Sequence, residues 1–476
     1  MHHKTIIHLS YIIIFFFLWI SCSENSKPAY DLKIHNTQVI NLQTGSIQNL
    51  DIFINEGKIV KLDSVNTVTN TNALQNVDGT GKYTLPGFWD NHVHFRGGDS
   101  LILANKNFLK LFLANGITTV RDAGGDLTTS VISWKKSIEN GNLDGPTIFT
   151  SGPKIDGPSG SWAGSLQVTD DVSIDIALDS LEKIPVDFVK LYDSKISGDA
   201  YLKTIEAAEN RGLITSGHMP FTVTLEETIL AGLDAVEHLY YIMKGCSGNE
   251  QEITAKLVKN EMGFWDAMPL LQSTYQDSIA KRTFNQLKSN NVFVVPTLHI
   301  GHTLSYLEEN DHSKDPYLNY MSAAIIKTYE GRINRVKYAT AKTIADRKAL
   351  DSFFGELALN LNKSGVSLLA GSDSGAYNSF TYPGVSLHKE LEAMVSIGIS
   401  PLEALRTSAY NGSKFLKKDN DYGEISENKI ADLVLLNDNP LKDIKNSSDI
   451  FMVIKKGRYY NSKQLDSLLK SAVIKP

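Results

Sequence analysis

The feature that most constrains this chain is a change of rhythm after Leu85-Pro86-Gly87, where short apolar segments begin to alternate with helical stretches. Eight strand candidates follow: Gly87 to Phe95, Ile117 to Asp122, Thr147 to Ser151, Asp187 to Asp193, Leu213 to His218, Ala235 to Leu239, Val292 to Thr297 and Ser367 to Asp373. Several are near-continuous apolar runs, as strands buried on both faces must be, and strands separated by helices form parallel sheets. Eight such units fit a closed (β/α)8 TIM barrel better than an open sheet, so the expected class is α/β.

The rhythm differs on either side of this region. Asp31 to Ile40, Leu50 to Asn55 and Lys58 to Leu62 alternate like strands without helices, with Asn55-Glu56-Gly57-Lys58 as a hairpin turn. Short strands return beyond Gly423, in Ile430 to Leu436 and Phe451 to Lys455, with Asn428-Lys429 as a turn. Neither piece has enough strands to bury a core alone, so residues 30–85 and 414–476 are expected to form one split β-sandwich around a barrel of residues 86–413. Thr303 to Lys363 is too long for a plain connection and carries spaced apolar positions; it is expected to be helical and partly to cover the barrel mouth. Ser400-Pro401 reads as the capped start of another helix.

At the N-terminus, Lys4 precedes the apolar run Tyr11 to Ile20, which is short for a bilayer span but fits the core of a secretory signal, and Ser21-Cys22 follows directly. This resembles a lipoprotein-type signal over residues 1–21 with lipid on Cys22; the alternative is an uncleaved N-terminal anchor. Residues 22–29 then form a polar linker, and on either reading the globular part is exported, facing the periplasm or the cell surface, with the anchor as its membrane contact. Cys22 and Cys246 are the two cysteines, so lipid on Cys22 leaves Cys246 to pack as a small hydrophobe. A net charge of -6, with no basic block, excludes a phosphate-binding surface of the kind nucleic-acid proteins use. The partner expected is a small-molecule substrate, with self-association into a homo-oligomer left open.

His92 and His94 lie two apart on the first barrel strand, so both imidazoles face one side and can converge on an ion. Lys190, His218, His238 and Asp373 fall at the C-terminal ends of strands four, five, six and eight, the end at which barrel enzymes assemble their sites. Taken singly, each could be a buried polar group with an ordinary partner, and Lys190 a surface lysine. Six such residues at matching depths in five strands are hard to place by coincidence.

Leu85-Pro86-Gly87-Phe88 leading into His92-Val93-His94, Thr118-Thr119-Val120-Arg121-Asp122, Phe188-Val189-Lys190-Leu191-Tyr192, Glu237-His238, Gly371-Ser372-Asp373 and Ala431-Asp432-Leu433-Val434 together resemble the amidohydrolase superfamily, in its imidazolonepropionase-like and prolidase-like branch. The resemblance covers nearly all of the chain after Tyr30. It implies a binuclear centre of two divalent ions, zinc by ligand type: His92 and His94 on one ion, His218 and His238 on the other, a carboxylated Lys190 bridging. A lysine ammonium cannot ligate, but a buried amine of lowered pKa can take up carbon dioxide as a carbamate. In this reading Asp373 ligates one metal and is the catalytic proton acceptor, and a metal-bound hydroxide cleaves an amide-type C–N bond in a dipeptide, N-acyl amino acid or cyclic amide. A lactone or phosphotriester hydrolase on the same site is the alternative, and a non-catalytic anchored binding protein is a third reading.

Candidate substrate contacts are less sharply marked. Arg121 could bind an anionic group or form a structural ion pair. Tyr192, Tyr240 and Tyr241 could face the substrate or pack with the hydroxyl at the rim, and His299 and His302 could polarise a carbonyl or face solvent. Prolidase-like relatives often carry a histidine in the Gly-rich loop after strand three, whereas Gly157 to Gly164 holds none and offers Trp162 as an apolar or aromatic contact.

Overall fold

The computed structural model describes residues 29–65 and 73–474. The apolar run Tyr11 to Ile20, Cys22 and most of the linker lie outside the described residues. Within them, no helix is long and apolar enough to cross a membrane. The architecture is α/β.

Both β-rich ends enter one mixed sheet. Among the described residues its order is Arg458–Asn461, Ile450–Lys455, Leu433–Leu436, Tyr83–Pro86, Tyr30–Ile40, Ile47–Asn55 and Lys58–Ser64, with Ala73–Asp78 paired to Tyr30–Ile40. The junction is the antiparallel pairing of Leu433–Leu436 with Tyr83–Pro86. The Asn55 to Lys58 turn forms as expected, with Glu56 and Gly57 both at positive φ (48° and 75°), the geometry that matches the twist of a tight hairpin. Leu32, Ile34, Ile52 and Ile54 from the first segment pack with Leu433, Leu435, Met452 and Ile454 from the last in one buried cluster.

The central portion of the chain is built on parallel strands. Phe88–Val93, Ile117–Asp122 and Thr147–Thr150 form one sheet; Ile155–Asp156, Val189–Leu191, Thr215–Gly217, Ala235–Glu237 and Phe293–Val295 belong to another, edged by Leu166–Gln167. Phe88–Val93 and Ile117–Asp122 are buried at every position, polar residues such as Asp90, Asn91, Thr118 and Asp122 included. The Asp187 amide donates to Thr150 O (2.8 Å) between the two sheets. The expected eighth strand, Ser367 to Asp373, keeps parallel bridges Val294↔Leu368 and Val93↔Ser374 but no continuous ladder. The reason is competition: Ala370 N donates to Thr407 O (2.9 Å), and Ser372 N to the Asp90 carboxylate (2.9 Å). Gly371 permits the close approach, since a Cβ there would stand 2.5 Å from His92 Cβ.

Helix starts follow local capping chemistry. Ser400 Oγ accepts from Glu403 N (3.2 Å) ahead of Pro401–Arg406, as the Ser-Pro pair predicts. Thr303 to Lys363 is helical only in pieces, chiefly Ala323–Lys327, Glu330–Lys337 and Ala341–Lys363. Pro316, which cannot donate, and the Asn310-Asp311 and Ser313 turn formers interrupt what a period-based reading joins into one run.

Candidate metal centre

His92, His94, Lys190, His218, His238 and Asp373, drawn from five parallel segments, are brought together. His92 Nε2 and His94 Nε2 are 3.2 Å apart, and Asp373 Oδ1 lies 3.6 and 3.2 Å from them. His238 ring packs at 5.2 Å from His92 and 4.8 Å from His218, centre to centre. His92, His238 and Asp373 each offer a ligand atom within 4.8 Å of the others.

The outer hydrogen bonds determine which imidazole nitrogen faces inward. His94 Nδ1 meets the Gly124 carbonyl (2.9 Å) and His218 Nδ1 the Asp193 carboxylate (3.1 Å), so both Nδ1 atoms must carry the proton. His238 Nδ1 lies 2.7 Å from Thr297 Oγ1, whose own proton goes to Pro296 O, so His238 donates as well. The Tyr241 hydroxyl in turn braces Asp193 (2.8 Å). Burial depresses all four imidazoles, His238 to about 3 and the other three well below the ordinary value, which keeps them neutral. Neutral rings with inward Nε2 lone pairs beside a carboxylate repel one another unless a cation lies between them. The residues present therefore fit a divalent metal centre.

Asp373 reinforces that fit. Burial raises its pKa, but the positive charge around it, that of Arg96 and Arg332 included, outweighs burial and holds the carboxyl below the usual carboxylate range. His238, Thr297 and Asp373 adopt left-handed backbone (φ 70°, 50° and 53°), a conformation that costs a β-carbon residue on the order of 1 kcal/mol and is typical of functional strand ends. Lys190 is buried, and its Nζ meets the Glu237 carboxylate. Burial, with Lys154 and Arg121 nearby, pushes the amine well below its ordinary range.

Other expected contacts separate here. Tyr192 stands at the centre, its ring 4.4 Å from that of His218. Trp162 reaches the same place, 6.2 Å from Tyr192. Tyr240 packs instead at the rim, among Tyr241, Phe264, Trp265 and Phe354. Arg121 is corrected from substrate ligand to structural pair: fully buried, it donates to Asn91 O (2.5 Å) and Ser216 Oγ (2.9 Å) and pairs with Glu237 (3.0 Å). His299 is likewise corrected, because it lines a separate cavity of about 500 Å³ with His302, Asp351 and Lys389. Its backbone amide is held by Glu390 (2.7 Å), and His302 pairs with Asp351 (2.9 Å) at the surface.

Sequence reasoning missed Glu237, Asn378, Arg96, Lys154 and Arg332. Asn378 donates to Asp373 Oδ1 (2.7 Å), and Arg332 Nη2 donates to Asn378 Oδ1 (2.9 Å). Arg96 had a signal, lying two residues beyond His94 in the same alternation; Glu237 directly precedes a ligand. Lys154, Asn378 and Arg332 carried none.

A family model described as Amidohydrolase family matches residues 83–459. The chain belongs to the amidohydrolase family. Among solved structures it is similar to a Xaa-Pro dipeptidase with bound methionine (TM-score 0.68, 18% identity, covering 90% of this chain and 100% of that one). It is also similar to the bottromycin amidohydrolase (TM-score 0.73, 17% identity, 93% and 89% covered). These likenesses concern the fold. An adenine deaminase of Oceanobacillus iheyensis is 36% identical over 100 residues, a stretch that is 21% of this chain and 16% of that enzyme.

Proposed function

We propose that the chain hydrolyses an amide-type C–N bond in a dipeptide, N-acyl amino acid or cyclic amide. The observation that carries this reading is the set of inward imidazole Nε2 atoms of His92, His94, His218 and His238 around the ionised Asp373. Two divalent ions, zinc by donor type, held by these residues and a carboxylated Lys190, would supply Lewis acidity and acidify a water. Asp373 accepts that water's proton at its carboxylate, and Asn378 holds Oδ1 in place for it. Lys190 can become a ligand because its amine is buried and proton-poor: nitrogen adds to carbon dioxide and loses one proton, leaving an anionic carbamate.

The scaffold is read as a (β/α)8 barrel with a split β-sandwich. Support comes from the bridges of the Ser367 to Ser374 segment to strands on both sides, and from the shared cluster of the two β-rich ends. Export with lipid on Cys22 is proposed from the Tyr11 to Ile20 run and Ser21-Cys22.

Metal analysis of the purified protein, with hydrolysis of dipeptides, N-acyl amino acids, cyclic amides, lactones, phosphotriesters and adenine, tests the reading. Bound divalent metal and C–N cleavage that chelation abolishes are expected. Protein that binds no metal, or prefers a lactone or phosphotriester, overturns it.

A further inference from the structure

Beside the metal centre stand two basic side chains to which the hydrolytic reading gives no substrate contact. Lys154, just beyond the Thr147–Thr150 strand, is 2% exposed. Among the described residues its Nζ makes no hydrogen bond or ion pair, and lies 4.5 Å from the Trp162 ring centre and 4.9 Å from that of Tyr192. Arg96 is also buried. Its Nε donates to Ala376 O (2.9 Å), while its guanidinium carbon stacks 4.1 Å from the Trp162 ring centre; no hydrogen bond of its two terminal nitrogens is found among the described residues.

Burial, with Arg96 nearby, pushes the Lys154 amine well below its ordinary range, because an ammonium there has only aromatic faces to offset its lost hydration. The carboxylates nearby are already engaged. Asp122 accepts from Thr150 Oγ1 (2.7 Å) and Phe95 N (3.2 Å), Asp126 from Gly97 N (2.8 Å), and Asp373 from Asn378. Among the described residues none of these carboxylates comes within ion-pair distance of Lys154 Nζ or the Arg96 guanidinium, yet both point to one aromatic wall beside a metal ligand: Trp162 stacks under them, and Tyr192 carries the wall to His218. Tyr377 closes the other side, 5.6 Å from Trp162.

We propose that Lys154 and Arg96 are the anion subsite of this active site, receiving a free carboxylate of the substrate while Trp162, Tyr192 and Tyr377 cover its adjoining apolar part. The inference rests on the hydrolytic reading and narrows it to N-acyl amino acids and dipeptides, against neutral cyclic amides. A carboxylate there favours the protonated Lys154 and makes charge-assisted hydrogen bonds to it and to Arg96. Arg332 adds positive potential while its Nε and Nη2 donate to Tyr377 O (3.1 Å) and Asn378 Oδ1 (2.9 Å).

The test uses carbon isosteres of N-acyl amino acids, benzoylpropionate among them, which carry the carboxylate but no cleavable amide. Each is compared with its neutral amide, benzoylpropionamide for that member, by calorimetric titration into metal-loaded full-length protein. The carboxylates should bind about tenfold or more tightly than their amides, the equivalent of one charge-assisted hydrogen bond. Lys154→Met should cut that preference several-fold, with Arg96 keeping the rest, hold its metal and melt no lower than the parent, because it removes a buried amine that has no hydrogen-bond partner among the described residues. Equal binding of carboxylates and amides, or a preference undiminished in Lys154→Met, overturns the subsite. Metal loss or a clearly lowered melting temperature in Lys154→Met also overturns it, assigning the charge to the metal centre or to the fold. Lys154-dependent carboxylate binding in a protein that hydrolyses no amide would overturn the hydrolytic reading and leave the subsite standing.

Discussion

The Asn378 side-chain amide donates to Asp373 Oδ1 at 2.7 Å, and that same oxygen is the one lying 3.2 Å from His94 Nε2. A second bond from the same amide reaches the Asp373 carbonyl, so one side chain fixes both the backbone and the carboxylate of a residue held at positive φ. Arg332 holds Asn378 from the far side, which ties the Glu330–Lys337 helix to Asp373. Asn378→Ala should lower kcat or metal affinity about 10- to 100-fold, the range found when the outer partner of a metal ligand is lost. Steady-state kinetics with metal titration check this; unchanged values would show that Asp373 is held by other contacts.

Lys190 and Asp373 should respond differently to substitution. Lys190→Ala should lose metal and activity together, with partial rescue by a small carboxylic acid in solution, and Lys190→Arg should fail as well, since a guanidinium cannot take up carbon dioxide. Asp373→Asn should keep much of the metal and lose turnover, because the proton acceptor goes while the other ligands stay. Metal content measured beside rate separates the two, and full metal with normal rate in Lys190→Ala would end the carbamate reading.

His388 is buried between Ser447 Oγ (3.0 Å) and Asn115 O (2.9 Å), and burial lowers its pKa to about 4. Because the folded value lies below the unfolded one, near 6.5, acid protonates the unfolded chain first. Its contribution is therefore complete above about pH 6.5 and is lost as pH falls toward 4, by about 2–3 kcal/mol at pH 4.5. His388→Gln should be less stable at neutral pH but lose that much less on acidification. Denaturant unfolding at the two pH values measures the difference, and parallel losses would refute it.

The split sheet is tied to the parallel strands through Lys455, whose Nζ bonds Asp432 (2.6 Å) and Thr147 Oγ1 (2.6 Å), all three buried. Asp432→Ala leaves that ammonium unpaired and should cost about 3–5 kcal/mol. Pairing Asp432→Leu with Lys455→Met should recover most of the loss, since neither charge then remains buried. Thermal melting of the single and double variants decides it; a mild single variant would mean that water reaches Lys455.

On the lipoprotein reading, lipid labelling of the full-length protein should require Cys22. Labelling of Cys22→Ser as strong as the parent's would favour the uncleaved anchor.

The sequence by itself determined the α/β class, seven of the parallel strands, the two β-rich ends and the six residues that converge at the strand ends. These are legible because apolar runs, turn chemistry and strand-end position are local properties, set by the two-residue alternation of strands and by the fixed hand of crossover connections. Tertiary structure alone decided the rest. The eighth segment loses its ladder because Thr407 and Asp90, distant in sequence, take its amides. Arg121 becomes structural because Glu237 and Ser216 arrive from other strands, and His299 turns toward a separate cavity. Lys154 is a loop lysine until Trp162, Tyr192 and Arg96 close around it. In each case the outcome depends on which buried group finds a partner, and partners far apart along the chain meet only once the chain has packed.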